Sequence, residues 1–100
     1  MAASYSFTSS LWEWSSRTTW FFFSVPEEIA DEIEEQFGRS AAGFGSVRVE
    51  VTVGATTWRT SIFPSTSERT YVLPVKKAVR KAEGLEAESV AEVELAVLVD

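Results

Sequence analysis

The sequence predicts a mainly β fold with two helices, closed as a six-stranded β-barrel in a single domain over residues 1–100. Three observations predict it. Val47, Val49, Val51 and Val53 alternate with polar residues up to Gly54-Ala55, the pattern of a half-buried strand entering a tight hairpin turn. Two short stretches with helical spacing are bracketed by Pro and Gly. The remaining segments read as strands, and six strands in a chain of 100 residues need closure or wrapping to avoid open edges. A chain of this length holds one core, and a 45% hydrophobic content supplies it.

Between Tyr5 and Trp14, residues Tyr5, Phe7 and Leu11 share one parity, whereas Trp12 and Trp14 fall on the other; the segment reads as the first strand. Ser15, Ser16 and Arg17 form a polar turn. Thr18 to Val25 is the second strand, rich in aromatic and β-branched residues. Its run Trp20-Phe21-Phe22-Phe23 does not alternate. Burial of both faces is the favoured expectation, because a small core needs large side chains; the competing one is an exposed aromatic contact surface. Pro26 then suits the first helical position, where its missing N–H costs nothing, and Glu27 and Glu28 follow where the helix dipole favours negative charge. Ile29, Ile33 and Phe37 recur every four residues on one stripe, with Asp31, Glu32, Glu34 and Glu35 on a solvated acidic face, and Gly38 is placed to terminate the helix.

Arg39 to Gly45 is a loop, and the hairpin follows. A two-residue turn with glycine first sets the register by itself: Val53 opposite Thr56, Val51 opposite Trp58, Val49 opposite Thr60 and Val47 opposite Ile62, all on one face. On the other face Glu50 meets Arg59, a cross-strand pair contributing roughly 0.2–1 kcal/mol, which gives Arg59 a structural task rather than a ligand-binding one. Thr60 stands among apolar residues, either as a satisfied buried hydroxyl or as the polar lining of a small cavity. Pro64 to Arg69 is a polar connection, Thr70 to Leu73 a short strand ended by Pro74, and Val75 to Glu83 the second helix with Gly84 beyond it. Ser89 to Val99 is the last strand, with Ala91, Val93, Leu95, Val97 and Val99 on its apolar side.

Composition excludes several function classes. A net charge of -6 argues against nucleic-acid binding, which rests on Lys and Arg neutralising phosphates. With no cysteine there is no disulfide or thiolate metal site, and with no histidine no Ser-His-Asp triad. No close-spaced carboxylate set outside the acidic helix points to a metal, and Gly43-Phe44-Gly45 lacks the length and the Lys-Ser/Thr ending of a phosphate loop. The start, Met1 to Ser10, lacks the basic and apolar regions of a signal peptide, and the longest aromatic run is far short of the ~20 residues that span a bilayer. The expectation is a cytoplasmic protein with no cofactor, no catalytic residues and no membrane or nucleic-acid partner.

One cluster breaks a local rule. Lys76, Lys77, Arg80 and Lys81 hold four of the nine positive charges, with two of them in the first turn of the second helix. There the dipole already presents positive charge, and each added cation costs roughly a few tenths of a kcal/mol. Such conflicts are more frequent at functional sites. Lys76, Lys77 and Arg80 are therefore the candidate anion-binding residues, for a phosphate, a carboxylate or an acidic partner; the structural alternative is a solvated face that balances the acidic first helix through space.

Several segments also resemble a known family. They are the strand and proline Trp20-Phe21-Phe22-Phe23-Ser24-Val25-Pro26 before the acidic helix, the hairpin segments Ser46 to Gly54 and Thr57 to Pro64, and above all Tyr71-Val72-Leu73-Pro74-Val75-Lys76-Lys77-Ala78-Val79-Arg80-Lys81-Ala82. Together they are similar to a bacterial domain-of-unknown-function family, DUF 1905. The resemblance implies a closed six-stranded β-barrel of the double-split type with the helices packed at its ends, and places Lys76, Lys77 and Arg80 in a signature motif. It implies no biochemical role. Where the family commonly has Gly-Asp before the last strand, this chain has Ala87-Glu88, and a turn requiring positive φ would be strained at Ala87.

The function expected from these residues is a non-catalytic module that binds an anionic small molecule or acidic peptide. The alternative is a structural or protein–protein interaction module using an aromatic surface drawn from Trp12, Trp14 and Trp20 to Phe23. An enzyme is the least favoured reading.

Overall fold

In the computed structural model, residues 3–38 and 45–98 are described. Seven strands and two helices follow one another as β1 (Ser4–Ser10), β2 (Trp12–Ser15), β3 (Thr19–Ser24), α1 (Glu27–Phe37), β4 (Val47–Val53), β5 (Thr56–Ser65), β6 (Thr70–Pro74), α2 (Lys77–Glu83) and β7 (Val90–Val97). The strands form one sheet in the order β1-β7-β4-β5-β6-β3-β2, every pairing antiparallel.

The expected closed six-stranded barrel is corrected to an open half-barrel of seven strands. The extra strand and the open seam have one cause. The first segment does not run straight but breaks at Leu11: β1 pairs with β7 on one side of the sheet, and β2 pairs with β3 on the other. Phe7 and Leu11 are buried in the core, whereas Trp12 and Trp14 beyond the bend stand on the outward side. Leu11 is fully buried, its N–H donating to the Ser89 carbonyl at 2.8 Å and its carbonyl accepting from the Glu88 N–H at 2.7 Å. The two edge strands are thus consecutive in the chain yet share no ladder.

The central hairpin takes the expected register in full, from Val47 opposite Ile62 to Val53 opposite Thr56, with Glu50 opposite Arg59. Gly54 takes the positive φ of 59° that the turn requires. Val47, Val49, Val51 and Val53 are all buried and join Phe7, Phe23, Trp58, Ile62, Leu73, Val93, Leu95 and Val97 in the core. From α1 the core receives Ala30 and Ile33, with Ile29 and Phe37 packed partly against it. α1 leaves from the C-terminal end of β3 and α2 from that of β6. Because those strands are antiparallel, the helices lie at opposite ends of their ladder.

Several local expectations shift. Pro26 is the residue before α1, with ψ of 142°, rather than its first helical residue. Gly38 closes α1 in a right-handed conformation, so its left-handed role is not used. The Gly84 role is, at φ of 62°. The polar connection is shorter than expected, because β5 extends through Pro64 to Ser65. In the turn before β7 the positive φ falls on Glu88, at 71°, and not on Ala87. The strain therefore sits one residue later than the family comparison implied. Most of the loop 39–45, and Val99, fall outside the described residues.

The aromatic run divides by parity. Phe23 is fully buried, Phe21 and Phe22 are half-buried, and Trp20 is 48% exposed. Burial of the whole run is thereby corrected: odd positions face the core, whereas Trp20 and Phe22 stand on the other face beside β2.

Candidate functional site

β3, β5, β6 and α2 converge on one groove of about 470 Å³. The local reason is a sequence of short connections. Pro74 ends β6, and Val75 is held by its N–H donating to the Phe21 carbonyl at 2.9 Å. This bond ties the start of α2 to β3. A second tie binds the far end of α2 to β5, where the Thr56 hydroxyl donates to the Glu83 carboxylate at 2.6 Å. Held at both ends, α2 lies beside the hairpin and leaves a trough over Trp58 and Thr60.

Trp20, Phe21, Trp58, Pro74 and Val75 supply apolar wall, Thr18, Thr19 and Thr60 supply hydroxyls, and Arg59, Lys76, Lys77 and Arg80 are the charged residues lining it. All four are cations, in a protein whose net charge is -6. Among the described residues the one ion pair is Arg59 with Glu50, at 3.1 Å. Lys76, Lys77 and Arg80 therefore have no carboxylate partner there.

The three sequence-predicted residues come together at this groove, in different states. Lys76 is the residue preceding α2, in an extended conformation, and Lys77 is the first helical residue; both are exposed. The helix expected from Val75 thus begins two positions later, which leaves Lys76 outside the helix proper. Arg80 is half-buried and fixed twice. Its Nε donates to the Val75 carbonyl at 3.1 Å, and its guanidinium carbon lies 3.9 Å from the centroid of the Phe21 ring. Lys81 does not line the groove; it borders a neighbouring depression with Lys77, Arg80, Gly84, Leu85 and Glu86.

Sequence reasoning missed most of the wall. Phe21 carried a usable signal, since it shares parity with buried Phe23. The hairpin register places Trp58 on the inner face, where it is buried, and no local pattern shows that it also borders this groove. Thr60 resolves as groove lining rather than as a fully buried hydroxyl: it is half-buried and borders the trough. Arg59 has the expected cross-strand partner and also borders the groove.

Outside the groove, the described residues contain no group of three or more Asp and Glu placed to hold a metal, and no helix long and apolar enough to cross a membrane. Two tyrosines have perturbed phenols. Burial, followed by the nearby Glu32 carboxylate, raises Tyr5 above the usual value, and burial, followed by the charge of Glu34, raises Tyr71.

No curated protein matches the chain. A family profile described as a domain of unknown function, DUF1905, matches residues 7–95, and with that match covering most of its length the chain belongs to this family.

Proposed function

We propose that the protein is a non-catalytic binding module whose groove between β3, β5 and α2 takes up a small anionic molecule. The observation carrying this reading is the lining itself: four cations and no carboxylate around a concave, partly aromatic surface. Opposite charge concentrated in a cleft raises the local concentration of an anion even when the whole molecule repels it. Lys76 and Lys77, exposed on flexible stems, attract at long range, whereas Arg80 is held in place to receive the charge. The test is an amide-shift titration with inorganic phosphate, nucleotides and carboxylates. Binding moves the amides of Lys76 to Arg80 together with those of Trp58 to Thr60. Silence across such a panel at millimolar concentrations refutes the reading.

A second reading, contact with another protein chain, is favoured by one specific observation. Trp12, Trp14, Trp20 and Phe22 share the outward side of the β2–β3 hairpin, Trp14 opposite Trp20 and Trp12 opposite Phe22. Trp20 and Phe22 stack with ring centroids 6.0 Å apart, and Trp12 lies 5.0 Å from Phe22. β2 is also an edge strand, whose outer backbone groups can pair with another strand. Sedimentation over a concentration series tests self-association. A strictly monomeric protein removes the homomeric form of this reading.

A further inference from the structure

The cationic groove has features that narrow the ligand's chemistry, and the inference drawn from them rests on the anion-binding reading above. We infer that the ligand is an apolar, planar monocarboxylate, with its ring system in the aromatic part of the groove and its carboxylate on Arg80.

The first ground is the state of Arg80. Its Nε is already engaged by the Val75 carbonyl, and one face of its guanidinium is covered by Phe21. What remains are the two terminal NH₂ groups, for which the described residues supply no hydrogen-bond partner. Two parallel N–H groups from a planar, immobilised guanidinium match the two oxygens of one carboxylate, and the fixed position means little ordering is left for the ligand to impose.

The second ground is the balance of the walls. Trp20, Phe21, Trp58, Pro74 and Val75 are apolar, and the remaining neutral residues are the three threonines Thr18, Thr19 and Thr60. A polyphosphate needs many donors or a metal ion. This trough supplies neither a glycine-rich loop nor a carboxylate to carry a cation. An aromatic or bicyclic ring, by contrast, covers apolar surface of Trp20 and Phe21, the lining aromatics that are not already buried, while its charged head stays at the cationic rim.

The third ground is size. The groove, at about 470 Å³, is roughly three times the ~150 Å³ cavity that accommodates benzene, leaving room for a fused two-ring system and its head group. Thr60 and Thr19 provide hydroxyls along the trough for a substituent on the ring.

The experiment compares four probes on the wild-type protein by amide shifts and tryptophan fluorescence: 2-naphthoate, its neutral analogue 2-naphthalenemethanol, inorganic phosphate and AMP. The expected result is saturable binding of 2-naphthoate with shifts at Phe21, Trp58 and Arg80. The neutral analogue should bind at least tenfold more weakly, and phosphate and AMP more weakly still. In Arg80→Met, whose fold is checked by circular dichroism, 2-naphthoate should fall to the level of the neutral analogue while the latter is unchanged. If phosphate or AMP saturates the same amides and 2-naphthoate does not, the groove is an anion site and the carboxylate assignment is wrong. Equal binding of 2-naphthoate and its neutral analogue makes the site an apolar trough and overturns the assignment of the head group to Arg80. No shift with any probe overturns both the inference and the anion-binding reading. The wild-type comparison decides among these outcomes even where Arg80→Met fails to fold.

Discussion

The guanidinium of Arg80 lies over the ring of Phe21, its carbon 3.9 Å from the ring centroid, so that a helix cation and a strand aromatic hold one another at the mouth of the groove. A cation–π contact of this kind contributes roughly 0.5–2 kcal/mol depending on how far it is shielded from water. Replacing Phe21 by Leu keeps an apolar side chain but removes the π face. The expected loss is about 1–2 kcal/mol, from that contact together with the lost packing atoms. Urea denaturation measures it, and an unchanged midpoint would mean that the pair is not coupled.

The turn between β4 and β5 is locked against α2. Gly54 has φ of 59°, and a Cβ at that position would overlap the Glu83 carboxylate, whose other oxygen accepts the Thr56 hydroxyl. Gly54→Ala should cost roughly 1–2 kcal/mol from left-handed backbone alone, with more from displacing Glu83. In a Glu83→Ala background the overlap disappears and only the backbone share remains. The double-mutant cycle should therefore show a coupling above about 0.5 kcal/mol, and additivity would place the glycine's whole effect in the backbone.

Leu11 is the pivot between the two edge strands and is fully buried, whereas Val90, nearby at the start of β7, is 67% exposed. Leu11→Ala should cost about 2–5 kcal/mol, the range for a buried leucine leaving a cavity. Val90→Thr should stay within about 0.5 kcal/mol of the parent. Thermal or chemical denaturation separates the two. Comparable losses would show that the pivot packs no more tightly than the surface.

Alkaline pH should weaken the fold through Tyr5 and Tyr71. Burial, then the neighbouring Glu32 or Glu34 charge, raises each phenol above its ordinary 10.0, so the folded chain holds these protons more tightly than the unfolded one. Stability from this source is complete below pH 10.0 and is lost as pH rises through the raised values of the folded state. Denaturant midpoints measured from pH 8 to pH 12 (about two units either side of an ordinary phenol) should hold level and then fall. Tyr5→Phe and Tyr71→Phe should each flatten the fall, and an identical profile in both variants would assign it to other groups.

Much of the fold was legible from particular residues. The four valines and the Gly54-Ala55 turn specified a hairpin register that the structure reproduces pair by pair. They could do so because a two-residue turn leaves no freedom in the pairing of its strands. The spacing of Ile29, Ile33 and Phe37 marked the core-facing side of α1, where Ile33 is buried and Ile29 and Phe37 pack partly against the core. The basic cluster was legible as an oddity, and Lys76, Lys77 and Arg80 do border one groove. The aromatic half of that groove was not legible, because Phe21 and Trp58 reach α2 through the β5-β6-β3 strand order and not through any local pattern.

By itself the sequence determined a mainly β chain with two helices, the inward parity of the regularly alternating strands β4 and β7, and the register of the central hairpin. These follow from side-chain periodicity and turn chemistry acting over a few residues. Only the tertiary structure decided that the first strand bends at Leu11, that the sheet stays open with seven strands, and that α2 leaves a trough lined by cations and aromatics. Those outcomes depend on which distant surfaces bury one another best, a sum over the whole chain that no short stretch of residues contains.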